Sequence, residues 1–575
     1  MLKLFRFLKP FAIPIVVVVV MVAGSAIAEL YLPTLMADIV NQGIMMSDVP
    51  YIWHTGGTML VVSGIDLLCA LAAAYFSARV GMGYGRDLRK RVFAHVEGFS
   101  LHEFDIIGPP SLITRTTNDI TQVQMFTMIM FRMLIMAPIM AIGGVIMALR
   151  QDRALTLVLV VVIPVIATVV SITATKALPL FRAIQAKIDK LNLVLREGLT
   201  GVRVVRAFNR VLHERDRFDA ANKDLTGTYI RVNKIMAVMM PLMMFIMSAT
   251  TVAITWFGAR RIDMGEMKVG NLMAFIQYAM QILFSLLMVS FLFIMLPRAS
   301  ASAGRINEVL ALNPSIKDPA RPLRNGQEHG HIEFRNVTFA YPGAEEPAVR
   351  DISFDAKPGE VTAIIGGTGS GKSTLVNLIP RFYDVASGGI LVDGIDIREL
   401  EQETLRSRLG FVPQKAVLFN DTIANNIRYG REEATDEEVA HAAQTARALE
   451  FVLAMPEGFE SVVAQGGTNL SGGQKQRLAI ARALVRKPEI YVFDDTFSAL
   501  DFKTDADLRA ALKQETAEAT VIIVAQRVNT VIDADRIIVL DEGKVVGMGT
   551  HRELIQSCQV YREIVSSQLS EEELA

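Results

Sequence analysis

The chain has 575 residues, 51% of them hydrophobic, and a formal net charge of −1 from 58 basic and 59 acidic side chains. That length exceeds one ordinary core, and the even charge balance gives no electrostatic footing for a nucleic-acid partner. Cys69 and Cys558, the two cysteines, cannot build a disulfide framework or a thiolate cluster, which suits a reducing setting for the soluble part.

Apolar residues crowd the part before about residue 297, and charge and glycine rise after it, so the chain divides into a membrane part and a soluble part. Six segments are long and apolar enough to cross a bilayer: about 11–32, 55–78, 126–149, 154–178, 235–258 and 272–296. An even count returns both termini to one side. Lys3, Arg6 and Lys9 precede the first span, and Arg79, Arg86, Arg89, Lys90 and Arg91 follow the second. The connection between these spans, from Asn41 to His54, carries no Lys or Arg. Positive residues stay inside, which places the N-terminus and the loop after the second span in the cytoplasm. Arg150, Arg153, Arg260 and Arg261 run against this rule, because they fall in short loops assigned outside. Ala26-Ile27-Ala28 matches a leader cleavage site, yet the apolar run before it is longer than a usual leader core, so a retained span is expected. Leu2 to Pro10 reads as an interfacial helix or the frayed start of the first span.

Two connections, about 79–125 and 179–234, are long and patterned as helices, which predicts spans that continue beyond the bilayer. The expected domains are a six-span all-α membrane domain over 1–300, a linker over 301–330, a soluble domain over 331–568 and an acidic tail over 569–575. Within the spans, Glu29, Asp66 and Arg132 are ionisable, and internal pairing is expected ahead of substrate contact. Met236, Met239, Met240, Met243, Met244 and Met247 crowd the fifth span, where packing and lipid contact are expected ahead of a cargo surface.

In the soluble domain, Val361 to Ile365 reads as a short buried strand running into Gly366-Gly367-Thr368-Gly369-Ser370-Gly371-Lys372-Ser373. This full G-x-x-x-x-G-K-S loop defines an α/β phosphate-binding domain. Its glycines let backbone N–H groups curl around phosphates, Lys372 can reach the β and γ oxygens, and the Ser373 hydroxyl can ligate Mg²⁺. Thr374 continues the loop into a helix whose positive end points at the same place. Ile490 to Phe493 supplies a second strand ending in Asp494, a carboxylate suited to the Mg²⁺ shell. Before it comes Leu470-Ser471-Gly472-Gly473-Gln474, opening a helix whose free N–H groups suit a γ-phosphate.

With these motifs the chain resembles the ATP-binding cassette transporters, specifically exporters that fuse six spans to one cassette, and the resemblance covers nearly the whole length. It implies ATP and Mg²⁺ as ligands, with Tyr341 stacking on adenine and Gln414 sensing the γ-phosphate and joining the metal site beside Ser373 and Asp494. It makes Leu470, Ser471, Gly472, Gly473 and Gln474 the signature that faces a partner's ATP, and Ser498 and Asp501 part of an interface loop. It also places Pro110–Asp119 in a first coupling loop and Gly201–Phe208 at the entry to a second.

The chain departs from the family at two positions. Hydrolytically active cassettes mostly carry Glu after the strand Asp and His in the switch loop; here stand Asp495 and Gln526. A carboxylate shortened by one methylene is drawn back from the attacking water, and Gln cannot carry the charge of His. An intact signature beside a weakened hydrolysis site resembles one subunit of the heterodimeric bacterial multidrug-type exporters. The expected partners are a homologous half-transporter and the bilayer of the cell's inner membrane, with an unidentified cargo. A homodimeric lipid or peptide exporter and a nucleotide-clamping regulatory subunit remain as alternatives.

Overall fold

The computed structural model describes residues 2–323 and 329–568. The acidic tail expected over 569–575, and 324–328 of the expected linker, lie outside the described residues. The chain forms two units, one comprising Met1–Glu97 with Pro110–Leu312 and the other Gly98–Pro109 with the chain from Asn313 onward.

The first unit is helical throughout. Its long helices are Ala12–Asp38, Val49–Glu97, Ile120–Gln151, Thr156–Thr200, Val211–Asp263 and Val269–Ala311. Six helical stretches among the described residues are long and apolar enough to cross a membrane. At about 1.5 Å per residue, the 49-residue helix Val49–Glu97 is more than twice as long as a ~30 Å hydrocarbon core is thick. The surplus carries the helix beyond the bilayer, as the long connections predict. The last helix runs to Ala311, past the boundary at 300 drawn from composition, helped by Ala299, Ala301 and Ala303.

Several polar groups inside this unit are paired, as a medium without water favours. Tyr278, fully buried, donates to the Leu30 carbonyl at 2.9 Å and meets the Thr34 hydroxyl at 2.6 Å. Ser25 donates to Asp66 at 2.5 Å, and Glu29 has Asp66 and Arg132 as its electrostatic neighbours, so the three ionisable span residues form one cluster. The fifth span's methionines divide by face. Met243 is buried, with Met239 and Met247 packed around Ile166 and Leu283, whereas Met240 and Met244 are exposed. One exception to the positive-inside pattern also has a cause. Arg261 bonds the buried Asp152 at 2.9 Å and Glu266 at 2.9 Å, so its charge is neutralised locally.

The second unit is built on two sheets. Strands β1 (Ile332–Phe339), β2 (Val349–Ala356), β4 (Ser387–Val392) and β5 (Ile395–Asp396) form an antiparallel sheet in the order β2-β1-β4-β5. The larger sheet has the order β10-β9-β3-β8-β7-β6, using β3 (Val361–Gly366), β6 (Leu409–Val412), β7 (Ile490–Asp494), β8 (Thr520–Val524), β9 (Arg536–Asp541) and β10 (Lys544–Gly549). All its pairings are parallel except β9 with β10. β7 and β8 are buried along their whole length, the mark of a parallel sheet covered on both faces.

The short helix Leu101–Ile107 packs with this second unit. Ser100 and Glu103 close a capping box, Glu103 accepts from the Ser315 amide at 3.0 Å, and Tyr383 donates to Asp105 at 3.1 Å. The segment that joins the second unit is thus Gly98–Pro109, just before Pro110–Asp119, which belongs to the helical unit. In Pro110–Asp119 the buried Asp119 pairs with Arg305 and accepts from Ser302 at 2.9 Å, anchoring it to the last helix instead.

Candidate functional site

Register brings the site together. Ile364 of β3 and Asp494 of β7 both pair with Val524 of β8, and Val412 of β6 pairs with Phe493, so four loops leave the sheet side by side at its carboxyl edge. Ligands bind at such an edge. The loops carry Gly366–Ser373, Gln414, Asp494 with Asp495, and Gln526.

Gly371, at φ +94°, caps the helix Lys372–Leu378, and a Cβ there would come within 2.7 Å of the Ala348 carbonyl oxygen. Glycine is required at that turn. The Lys372 ammonium is buried and donates to the carbonyls of Gly366 at 2.8 Å and Gly367 at 2.7 Å. Ser373 donates to Asp494 at 2.9 Å. Among the described residues no three His, Cys, Asp or Glu side chains gather as a metal site. The Ser373 hydroxyl beside the Asp494 carboxylate is a hard-oxygen pair that would fit a cation held in part by a nucleotide's own oxygens, as Mg²⁺ is held. Gln414 donates from Nε2 to Asp495, the residue after Asp494, at 3.1 Å.

Burial pushes the Asp494 carboxyl above its ordinary value, with the Ser373 hydrogen bond opposing and Asp495 reinforcing the shift. Burial holds the Lys372 ammonium below its ordinary value, against the pull of Asp495 and Asp494. Both groups are charged at a cost until a ligand satisfies them. A raised folded pKa means that Asp494 favours the fold below its unfolded value of 3.8 and that this contribution is lost as pH rises through the folded value. Asp494→Asn is accordingly expected to raise the melting temperature of the nucleotide-free chain at pH 7 by about 2–4 °C per ~1 kcal/mol. The gain should vanish below about pH 4, and Mg²⁺-dependent ATP binding should be lost. Thermal unfolding across pH with paired nucleotide titrations measures both.

The two departures from the family pattern meet on one atom. Asp495 is buried, sits at φ +46° and bonds its N–H to the Val524 carbonyl at 3.0 Å. Its Oδ2 accepts from Gln526 Nε2 at 2.8 Å as well as from Gln414. Carboxylates only accept when ionised, which fixes each amide with its nitrogen inward. Ser498 donates to the Asp495 carbonyl at 2.9 Å, and Asp501 caps the helix Phe502–Glu515 by accepting from the Thr504 amide at 2.9 Å.

Tyr341, two residues past β1, is partly exposed, edge-on to Phe339 and Tyr383, and its hydroxyl meets that of Thr374, next to the phosphate loop, at 3.0 Å. Leu470 is buried, and Ser471 caps the helix Gly472–Val485 in a reciprocal box with Gln474. Gly472 is exposed, and a Cβ on it would meet nothing within 4 Å. Gly472 thus faces outward at the start of this helix, with Gln474 Oε1 accepting from the Ser471 N–H at 2.8 Å and Ser471 Oγ accepting from the Gln474 N–H at 3.3 Å.

A six-helix membrane unit fused to a phosphate-binding loop on a parallel sheet defines a nucleotide-driven membrane protein. Residues 15–286 match the family described as ABC transporter transmembrane region, and residues 349–498 match that described as ABC transporter. An ABC transporter ATP-binding protein of Mycobacterium tuberculosis is 45% identical over 565 residues, covering 98% of this chain and 97% of the relative. An ATP-dependent lipid A-core flippase of Aromatoleum aromaticum is 34% identical, covering 89% of this chain and 87% of the relative. The fold is that of a bacterial Atm1-family ABC exporter solved with ATP bound, with a TM-score of 0.80, 24% identity and coverage of 98% and 99%. The chain belongs to the ABC transporter family as an exporter with membrane and cassette domains in one polypeptide. It is a multi-pass membrane protein whose cassette is cytoplasmic and whose activity is ATP-hydrolysing transport.

Proposed function

We propose that this chain is one half of an unequal exporter pair: its own ATP site retains nucleotide and turns it over slowly, and its signature completes a faster site on a homologous partner. The observation that carries this reading is the single carboxylate oxygen of Asp495 taken up by two amides, Gln526 at 2.8 Å and Gln414 at 3.1 Å. A general base has to reach the proton of the attacking water, and a side chain one methylene shorter than Glu, tied back by two donors, is withdrawn from it.

In this reading the backbone amides of Gly366–Gly371 cradle the phosphates, and Lys372 exchanges its carbonyl partners for phosphate oxygens. Ser373 and Asp494 hold Mg²⁺, which when bound shields phosphate charge. Tyr341 offers its exposed ring to adenine, and Ser498 and Asp501 order the loop toward the partner cassette. Closure of the two cassettes around ATP favours the outward-open membrane domain, and a ligand shifts such an equilibrium only by its differential affinity for the closed state. The exposed apolar tip around the second connection, with Val204 60%, Phe208 73% and Leu212 63% exposed, suits contact with a second cassette. Kinship with a lipid A-core flippase, together with apolar helix faces, supports an amphipathic lipid, drug-like or peptide cargo moved out across the inner membrane.

Purified without a partner, the chain is expected to bind Mg·ATP and release phosphate slowly. Turnover in nanodiscs, scored per bound nucleotide, decides the matter: a homodimer with full, cargo-stimulated hydrolysis would sink the unequal pair.

A further inference from the structure

Gln526 reaches Asp495 from a loop with little structure of its own, between the end of β8 and the four-residue helix Val528–Val531. Its backbone is held from outside. Gln568, two residues past the helix Gln559–Ser566, donates from Nε2 to the Gln526 carbonyl at 2.8 Å and accepts at Oε1 from the Val528 N–H at 2.9 Å. One side-chain amide thus pairs with the two peptide groups that flank Arg527, as a neighbouring strand would. Arg527 is extended, with φ −96° and ψ 131°, the conformation that such pairing requires.

The base of this clamp is rigid. Tyr561 and Val565 of the C-terminal helix are buried in the same apolar cluster as Val528 and Val531. The Tyr561 hydroxyl meets His551 Nδ1 at 2.7 Å, and the Gln568 N–H bonds the Val565 carbonyl at 3.0 Å. On the other edge of the loop, Arg527 donates to the Ser498 carbonyl at 3.1 Å and lies over the Phe502 ring at 5.2 Å. The loop is therefore gripped between the interface segment and the C-terminal helix, with Gln526 pointing from the gripped stretch at Asp495.

We propose that Gln568 is a positioning residue for ATP hydrolysis, fixing through the backbone of Gln526 and Val528 where the residue-526 side chain meets the reacting phosphate. The inference rests on reading Gln526 as the switch residue, and it does not require an unequal pair. Amide chemistry makes the demand specific, because the site needs one donor and one acceptor side by side. Gln568→Ala removes both, whereas Gln568→Glu keeps the acceptor and sets a second acceptor against the Gln526 carbonyl.

The full-length chain in nanodiscs, with Mg·ATP as probe, provides two readouts: amide hydrogen exchange at residues 526–528, and decay of bound ATP in a single turnover, which is measurable even when slow. Gln568→Ala is expected to speed exchange at the Val528 amide roughly tenfold, the worth of one lost hydrogen bond. It should slow ATP decay roughly tenfold, within the range that a displacement of about 1 Å can cost, with the dissociation constant for ATP within about twofold. Gln568→Glu should fall between Gln568→Ala and the parent in exchange at Val528 and should slow decay as well. Unchanged exchange overturns the clamp, and faster exchange with unchanged decay overturns its link to hydrolysis. Exchange that speeds across the whole cassette, or weaker ATP binding in step with slower decay, assigns a merely structural role and also overturns the proposal. Fast decay in the parent chain would count against the unequal pair alone, leaving the Gln568 comparison intact.

Discussion

Restoring the long base and the switch imidazole together, as Asp495→Glu with Gln526→His, is expected to raise ATP turnover at this subunit's own site by about 10²-fold or more, the span over which general acid–base help acts. The two changes belong together because their side chains share an atom: Gln526 Nε2 lies 2.8 Å from Asp495 Oδ2. Glu at 495 extends the carboxylate past the point where the amides of Gln414 and Gln526 hold it, and His at 526 supplies a donor that can also bear charge. Each single change should give less than its share, since residues in one hydrogen-bonded network are not additive. Initial-rate ATPase assays on the four members of the cycle measure this. No rise on restoring both would remove the argument from residue 495.

Gly472→Asp is expected to do the reverse to the assembled pair, lowering steady-state turnover by roughly 10²-fold, on the scale of losing an oriented electrostatic contact in a reacting site. A Cβ at Gly472 meets no atom of the described residues within 4 Å, which leaves open space for the new side chain. The fold, the melting temperature and this chain's own ATP affinity should therefore hold. What the carboxylate would meet is the γ-phosphate presented by a partner to the N-terminus of the helix Gly472–Val485, where an anion otherwise sits well. Turnover that survives in the coexpressed pair would mean that no partner nucleotide docks there. An equal loss of ATP binding in the chain alone would mean that the residue acts in its own subunit.

Much of the architecture was legible because it rests on local signals. Apolar runs gave the six spans, the glycine loop between strand and helix gave the phosphate site, and Ser471 with Gln474 three residues on marked a helix start. The same box at Ser100 and Glu103 is equally readable and marks the helix Leu101–Ile107, which precedes Pro110–Asp119. The contacts among Gln414, Asp495 and Gln526 span 81 and 31 residues, and those of Gln568 with the switch loop 40 and 42. Side-chain amides at such separations follow no period, so only the folded sheet brings them into view.

The alignment of Ile364, Asp494 and Val524 across three neighbouring strands makes the catalytic edge depend on chain length as much as on chemistry. Inserting or deleting one residue within β8 would flip its side chains to the opposite face and carry Gln526 away from Asp495 without altering either of them. Exchanging one side chain for another at 495 or 526 leaves that register intact. A subunit of this kind can lose or regain hydrolytic speed through point substitutions while every strand keeps its measure.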